Sequence, residues 1–127
     1  MIAAFMVGRV LLAAYYLFSA SNHFRNLDGM TRIIGSKGFP IPRLFAVGAG
    51  GLLLIAGLSF LTGLYPLAGV IAVALFMVPV TITMHNFWAF SDPNVRNSQR
   101  VNFTKNMALV ACALVFLAIP QPWPLSL

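Results

Sequence analysis

From Leu44 to Met84 the chain carries no charged side chain, and only the turn Thr62-Gly63-Leu64-Tyr65-Pro66 breaks the apolar run. At about 1.5 Å of rise per residue, Leu44–Leu64 and Pro66–Met84 each reach close to the roughly 30 Å of a bilayer's hydrocarbon core. Two more apolar runs frame them, Met1–Ser21 and Val101–Ile119. A soluble domain is about a quarter charged. This chain of 127 residues is 8% charged and 60% hydrophobic. The expectation is an all-α integral membrane protein: an antiparallel four-helix bundle, one domain over residues 1–127, with spans at about 2–22, 44–64, 66–84 and 101–119.

Ser19-Ala20-Ser21 faintly resembles a signal-peptidase site. No basic residue precedes the first apolar run, however, and Arg9 interrupts it, so it reads as a retained membrane helix. Between the first two spans, Leu27, Met30, Ile33 and Ile34 recur at helical spacing within a polar, basic stretch. That pattern predicts a short amphipathic surface helix in the first connection, ended by Gly35, Gly38, Pro40 and Pro42. Met84–Leu109 reads as a short polar loop at the membrane edge, with Asp92-Pro93-Asn94 as its turn. Pro79 predicts a kink in the third span. Pro120, Pro122 and Pro124 end the fourth, where Trp123 suits the membrane interface. Small residues four apart (Ala4 and Gly8, Ala46 and Gly50, Ala68 and Ala72, Ala108 and Cys112) predict close helix packing in each span.

The net charge is +6. Every Lys and Arg except Arg9 flanks the first or third connection, so the basic residues point to anionic lipid headgroups rather than nucleic acid. The positive-inside rule places those two connections in the cytoplasm and both termini outside, in a multi-pass protein of the cytoplasmic (inner) membrane. Cys112 is the sole cysteine, which excludes an internal disulfide or a CxxC pair, and mid-helix it reads as a small buried hydrophobe.

That topology brings polar residues to one depth near the cytoplasmic face. Arg9, Tyr16 and His23, seven apart, share one stripe. Thr81, His85 and Trp88 share a second, and Asn102, Lys105 and Asn106 lie together on the last helix. Polar groups in lipid turn inward. The candidate is a polar, aromatic-lined ligand pocket at the cytoplasmic mouth, formed by Tyr16, Asn22, His23, His85, Asn86, Trp88, Asn102 and Asn106. A quinone needs an apolar slot with donors to its ring carbonyls, which His, Tyr and Asn can supply. A bis-histidine haem, the lesser expectation, needs two His on facing helices. A zinc site would want three or four ligands, and two His, two Asp and one Cys do not supply one. The plain alternative is that His and Trp anchor helix ends while Asn and Lys bond loop carbonyls. Arg9 has no acid at its depth; the favoured reading is that it snorkels to the outer surface. No carboxylate pair, Ser-His-Asp set or phosphate loop is present, so no catalytic residues are assigned.

Several pieces, in order and spacing, resemble the DoxX family over nearly the whole chain. They are Arg9-Val10-Leu11-Leu12, Ser21-Asn22-His23-Phe24, Lys37-Gly38-Phe39-Pro40-Ile41-Pro42, Gly50-Gly51-Leu52, His85-Asn86-Phe87-Trp88 and Phe103-Thr104-Lys105-Asn106-Met107-Ala108-Leu109. The resemblance implies four membrane helices and an association with redox biology: relatives form the membrane part of a thiosulfate:quinone oxidoreductase, and others are linked to thiol or oxidative-stress systems. Many relatives carry an acidic residue just before the glycine pair of the second span. Here Val47-Gly48-Ala49 is apolar, which leaves Arg9 without that partner and puts proton-coupled chemistry near it in doubt. The leading expectation is a membrane subunit that binds a quinone or similar hydrophobic molecule and serves a cytoplasmic or membrane redox partner. The alternative is a non-enzymatic adaptor or assembly factor whose basic loops dock a protein. A transporter is weaker, because one four-helix unit has no inverted repeat, though homo-oligomerisation could supply a second unit.

Overall fold

The computed structural model describes all 127 residues and is helical throughout. The helices are α1 (Ile2–Arg25), α2 (Leu27–Ser36), α3 (Pro42–Thr62), α4 (Pro66–Met84) and α5 (Pro93–Val115). Short 3-10 turns cover Phe87–Ala89 and Phe116–Ala118. Four of the five, all but α2, are long and apolar enough to cross a membrane.

Proline and glycine set the boundaries. Pro42 and Pro66 open α3 and α4, where a missing amide hydrogen costs nothing. Gly63 closes α3 in a left-handed conformation (φ 78°), its amide donating to Ser59 O at 2.8 Å. The Ser59 hydroxyl then reaches Leu64 O and Tyr65 O, both at 2.9 Å, and fastens the turn into α4. Helix α4 runs unbroken through Pro79.

The third connection is far shorter than the sequence suggests. Asp92 caps α5 by accepting from the Asn94 amide at 3.0 Å, and Pro93 takes the first helical position. The residues read as a loop turn are therefore a helix start. Most of the polar stretch, including Arg96, Gln99 and Arg100, forms the first turns of α5.

Helix α1 packs on α3, α3 on α4, and α4 on α5, while α2 lies against α3. No Cα of α1 comes within 8 Å of one in α4 or α5. Large side chains bridge that gap at one end. Phe5 meets Phe116 at 6.0 Å between ring centroids, and Trp123 inserts between Phe5 (5.3 Å) and Phe116 (5.0 Å). The residues after α5 fold back as a strap, and the Leu127 amide donates to Thr62 O at 2.9 Å. Trp123 is thus 2% exposed inside the bundle, not set out at the lipid interface.

The small-residue pairs divide. Ala46 and Gly50 are buried, whereas Ala4, Gly8, Ala108 and Cys112 face outward, and Ala68 is exposed while Ala72 is buried. Cys112 is exposed rather than a core hydrophobe. Helices α1 and α3 approach closely at Gly57. A Cβ there would meet the Leu17 side chain at 2.6 Å and its backbone nitrogen at 3.1 Å. Gly48, on the same helix, has nothing within 4 Å of such an atom.

Gly57→Val should therefore force α1 off α3 and cost about 1–3 kcal/mol, as overpacking does. Gly48→Ala should leave the melting temperature unchanged or slightly raised. Thermal unfolding in detergent checks both; equal tolerance at the two positions would contradict this packing.

Candidate functional site

At the end of the bundle that carries the α2 and α4–α5 connections, a cleft of about 360 Å³ opens among all five helices. Helix α1 contributes Tyr15, Ser19, Asn22 and His23; α5 contributes Asn106; His85 follows the last turn of α4. Apolar walls come from α2 through Met30, Ile33 and Ile34, from α3 through Leu53, and from α4 through Phe76 and Met77. The apolar face of α2 therefore covers the cleft.

Two imidazoles line it. His23, buried on α1, has Nε2 2.6 Å from Ala46 O on α3. His85 caps α4 through its amide, which donates to Thr81 O at 3.2 Å, and its Nδ1 lies 2.7 Å from Gln99 Oε1 on α5. A nitrogen facing a carbonyl oxygen must carry the hydrogen. When neutral, His23 then carries its hydrogen on Nε2 and His85 on Nδ1, which leaves each ring a lone pair on its other nitrogen. Asn22 and Asn106 add amides that both donate and accept.

Of the eight residues expected in one pocket, the structure brings Asn22, His23, His85 and Asn106 together. Tyr16 is elsewhere. It is fully buried, its ring 5.9 Å from Phe60 and its hydroxyl without a partner. Its neighbour Tyr15 lines the cleft instead. The stripe of Arg9, Tyr16 and His23 is real, but it faces α3. Trp88 is 53% exposed and packs on Phe87 (5.3 Å) and Phe103 (5.9 Å) outside the cleft, because α4 ends at Met84 and helical spacing stops there. Asn86, in the α4–α5 connection, has a buried Oδ1 without a partner and does not line the cleft; nor does Asn102. Lys105 is exposed on α5. Sequence reasoning missed Gln99, Tyr15 and Ser19. Gln99 could have been found by reading Asp92-Pro93 as a cap and a first helical residue.

The family model that matches the chain is that of DoxX, over residues 4–86. The chain belongs to the DoxX family. The match spans α1–α4 and includes Asn22, His23 and His85, while Gln99 and Asn106 lie beyond it. No curated protein and no solved structure matches the chain.

In this DoxX-family protein Arg9 does not snorkel; it is 1% exposed. The last four carbonyls of a helix lack partners within it. In α3, Ser59 O takes the Gly63 amide, Phe60 O takes Arg9 Nε at 2.7 Å, Leu61 O takes Arg9 Nη2 at 3.1 Å and Thr62 O takes the Leu127 amide. Arg9 Nη1 donates to Pro124 O at 2.6 Å, and its Cζ lies 5.5 Å from the Trp123 ring centroid. The negative end of the α3 dipole favours a cation here, and a guanidinium fork reaches two α3 carbonyls and the strap at once. The notion that Arg9 lacks a partner without an acid overlooked these carbonyls.

Arg9→Ala should cost about 3 kcal/mol or more by stranding buried carbonyls. Arg9→Lys should not restore stability, since an ammonium cannot make the fork. In a Trp88→Phe background, Trp123 emission should shift to the red in both variants as the strap loosens. Unchanged emission in Arg9→Ala would contradict the anchoring role.

Proposed function

We infer that this membrane protein binds a quinone, or a similar hydrophobic molecule bearing ring oxygens, in the His23–His85 cleft. The observation that carries the reading is the pair of imidazoles, each tied to a carbonyl oxygen through one nitrogen, on one largely apolar cleft with two amides. An Asn amide can donate to a ring carbonyl, and an imidazole lone pair can accept from the hydroxyl of the reduced ring. His23 commits Nε2 to Ala46 O, and Nε2 is a nitrogen through which imidazole commonly ligates a metal, so a bis-histidine haem is the poorer fit. The chain has one cysteine, exposed on α5, and no redox pair of its own. Electrons would pass to or from a partner subunit, and the protein would serve a redox system as its membrane component.

Exposed basic side chains set the topology of this reading. Arg25, Arg32, Lys37, Arg43, Arg96, Arg100 and Lys105 are all exposed at or toward the cleft end. Arg9 is used up internally and does not count as a flanking charge. The positive-inside rule then puts the cleft at the cytoplasmic face of an inner membrane, with both termini outside. The same residues favour a second reading. Only Arg43 has an acidic partner, Asp28 at 3.1 Å, so the remaining charges could dock an acidic protein.

Binding of a short-chain benzoquinone to the purified protein tests the first reading. His85→Ala and Asn106→Leu should each weaken it about tenfold, worth about 1.4 kcal/mol, while Arg96→Ala leaves it unchanged. Failure of the wild type to bind would contradict the reading. Salt-sensitive capture of a partner through the basic residues, without quinone binding, would favour the second.

A further inference from the structure

Beside the cleft lies a second cavity, about 520 Å³, between α2, α3 and α4. Its character is different. It contains no charged, His or amide side chain, and its one hydroxyl, Thr83 Oγ1, already donates to Pro79 O at 2.7 Å. Leu44, Phe45 and Leu75 stand at its edge and are largely exposed, so it opens sideways toward the acyl chains. Gly48 leaves its α3 side open, since an added Cβ there would touch nothing.

The groove and the cleft are contiguous. Ile34, Ala49, Phe76, Val80 and Met84 line both. On one side of that shared wall stand His23 and His85; on the other the surface is hydrocarbon apart from the already bonded Thr83 hydroxyl. Each cavity falls within the roughly 300–1,000 Å³ that small-molecule sites occupy.

We propose that the groove holds the isoprenoid tail of a quinone whose head lies in the His23–His85 cleft. The proposal rests on the quinone reading of that cleft and extends it to the tail. Water would find no free polar partner in the groove. A partner helix has no hydrophobic drive to enter it, because lipid is as apolar as the groove itself. A tail attached to a head bound next door is already held at the groove and needs no separate association. The lateral opening lets such a ligand arrive from the bilayer without its tail crossing water. The head then sets affinity through polar contacts, and the groove selects for chain length.

The test uses the full chain in nanodiscs and two quinones with one common head, one without a tail and one with several isoprene units, concentrations being referred to the lipid phase. Gly48→Leu fills the groove from α3, and Leu75→Trp fills it from α4; neither residue lines the cleft. Both variants should weaken the long-tailed quinone about tenfold and leave the tail-less one unchanged, whereas His85→Ala weakens both. Melting temperatures near wild type show that the filled variants fold. If the wild type binds both quinones and neither filling variant affects the long-tailed one, the groove assignment is overturned and the cleft reading stands. If the wild type binds neither, the cleft reading falls and takes the groove with it. If the filling variants change the oligomeric state and weaken both quinones alike, the groove seats a second copy of the chain instead.

Discussion

The C-terminal end of α3 is where this structure must solve its hardest problem. Within lipid no water is available for a stranded carbonyl, so backbone acceptors at a helix end need partners from the protein. Arg9 on α1 supplies two of them and holds the strap with its remaining nitrogen. That arrangement sets the register of α1 against α3. Two and four turns further along the same stripe, Tyr16 packs on Phe60 and His23 reaches Ala46 O. A shift of α1 by one turn would break all three contacts together.

The register also explains why the bundle is closed at one end and open at the other. Helix α1 is committed to α3 and stays more than 8 Å, Cα to Cα, from α4 and α5. Near Arg9 the gap is filled by Phe5, Phe116 and Trp123. Near His23 the large side chains, Tyr15 and Phe76 among them, line the gap without filling it, and it remains as the cleft. His85 reaches its rim because α4 ends at Met84, and Gln99 holds the ring across to α5. The same device, a side-chain donor on a carbonyl from another helix, thus closes one end and positions an imidazole at the other.

The spans were legible because hydropathy alone reports them, and the α1 stripe was legible because spacing by seven is nearly two helical turns. What the stripe faces is not a local property. Tyr16 and Tyr15 differ by about 100° around α1, and only the position of α3 decides which of them is core. The start of α5 was misread because Asp-Pro-Asn suits a turn and a helix start equally, and the choice depends on whether the residues beyond Asn94 are helical. Trp88 was placed by helical spacing that α4 does not sustain. Trp123 and Arg9 were assigned to the interface because neither the folded-back strap nor the free carbonyls of α3 can be seen along the chain.

The chain has only two histidines, which makes their protonation directly readable. ¹⁵N NMR of histidine-labelled protein at a pH where both rings are neutral tests whether they share one ligand cleft. The account expects one ring protonated on Nε2 and the other on Nδ1, with both perturbed on addition of a quinone. Two rings of the same tautomer, or only one ring responding, would contradict it.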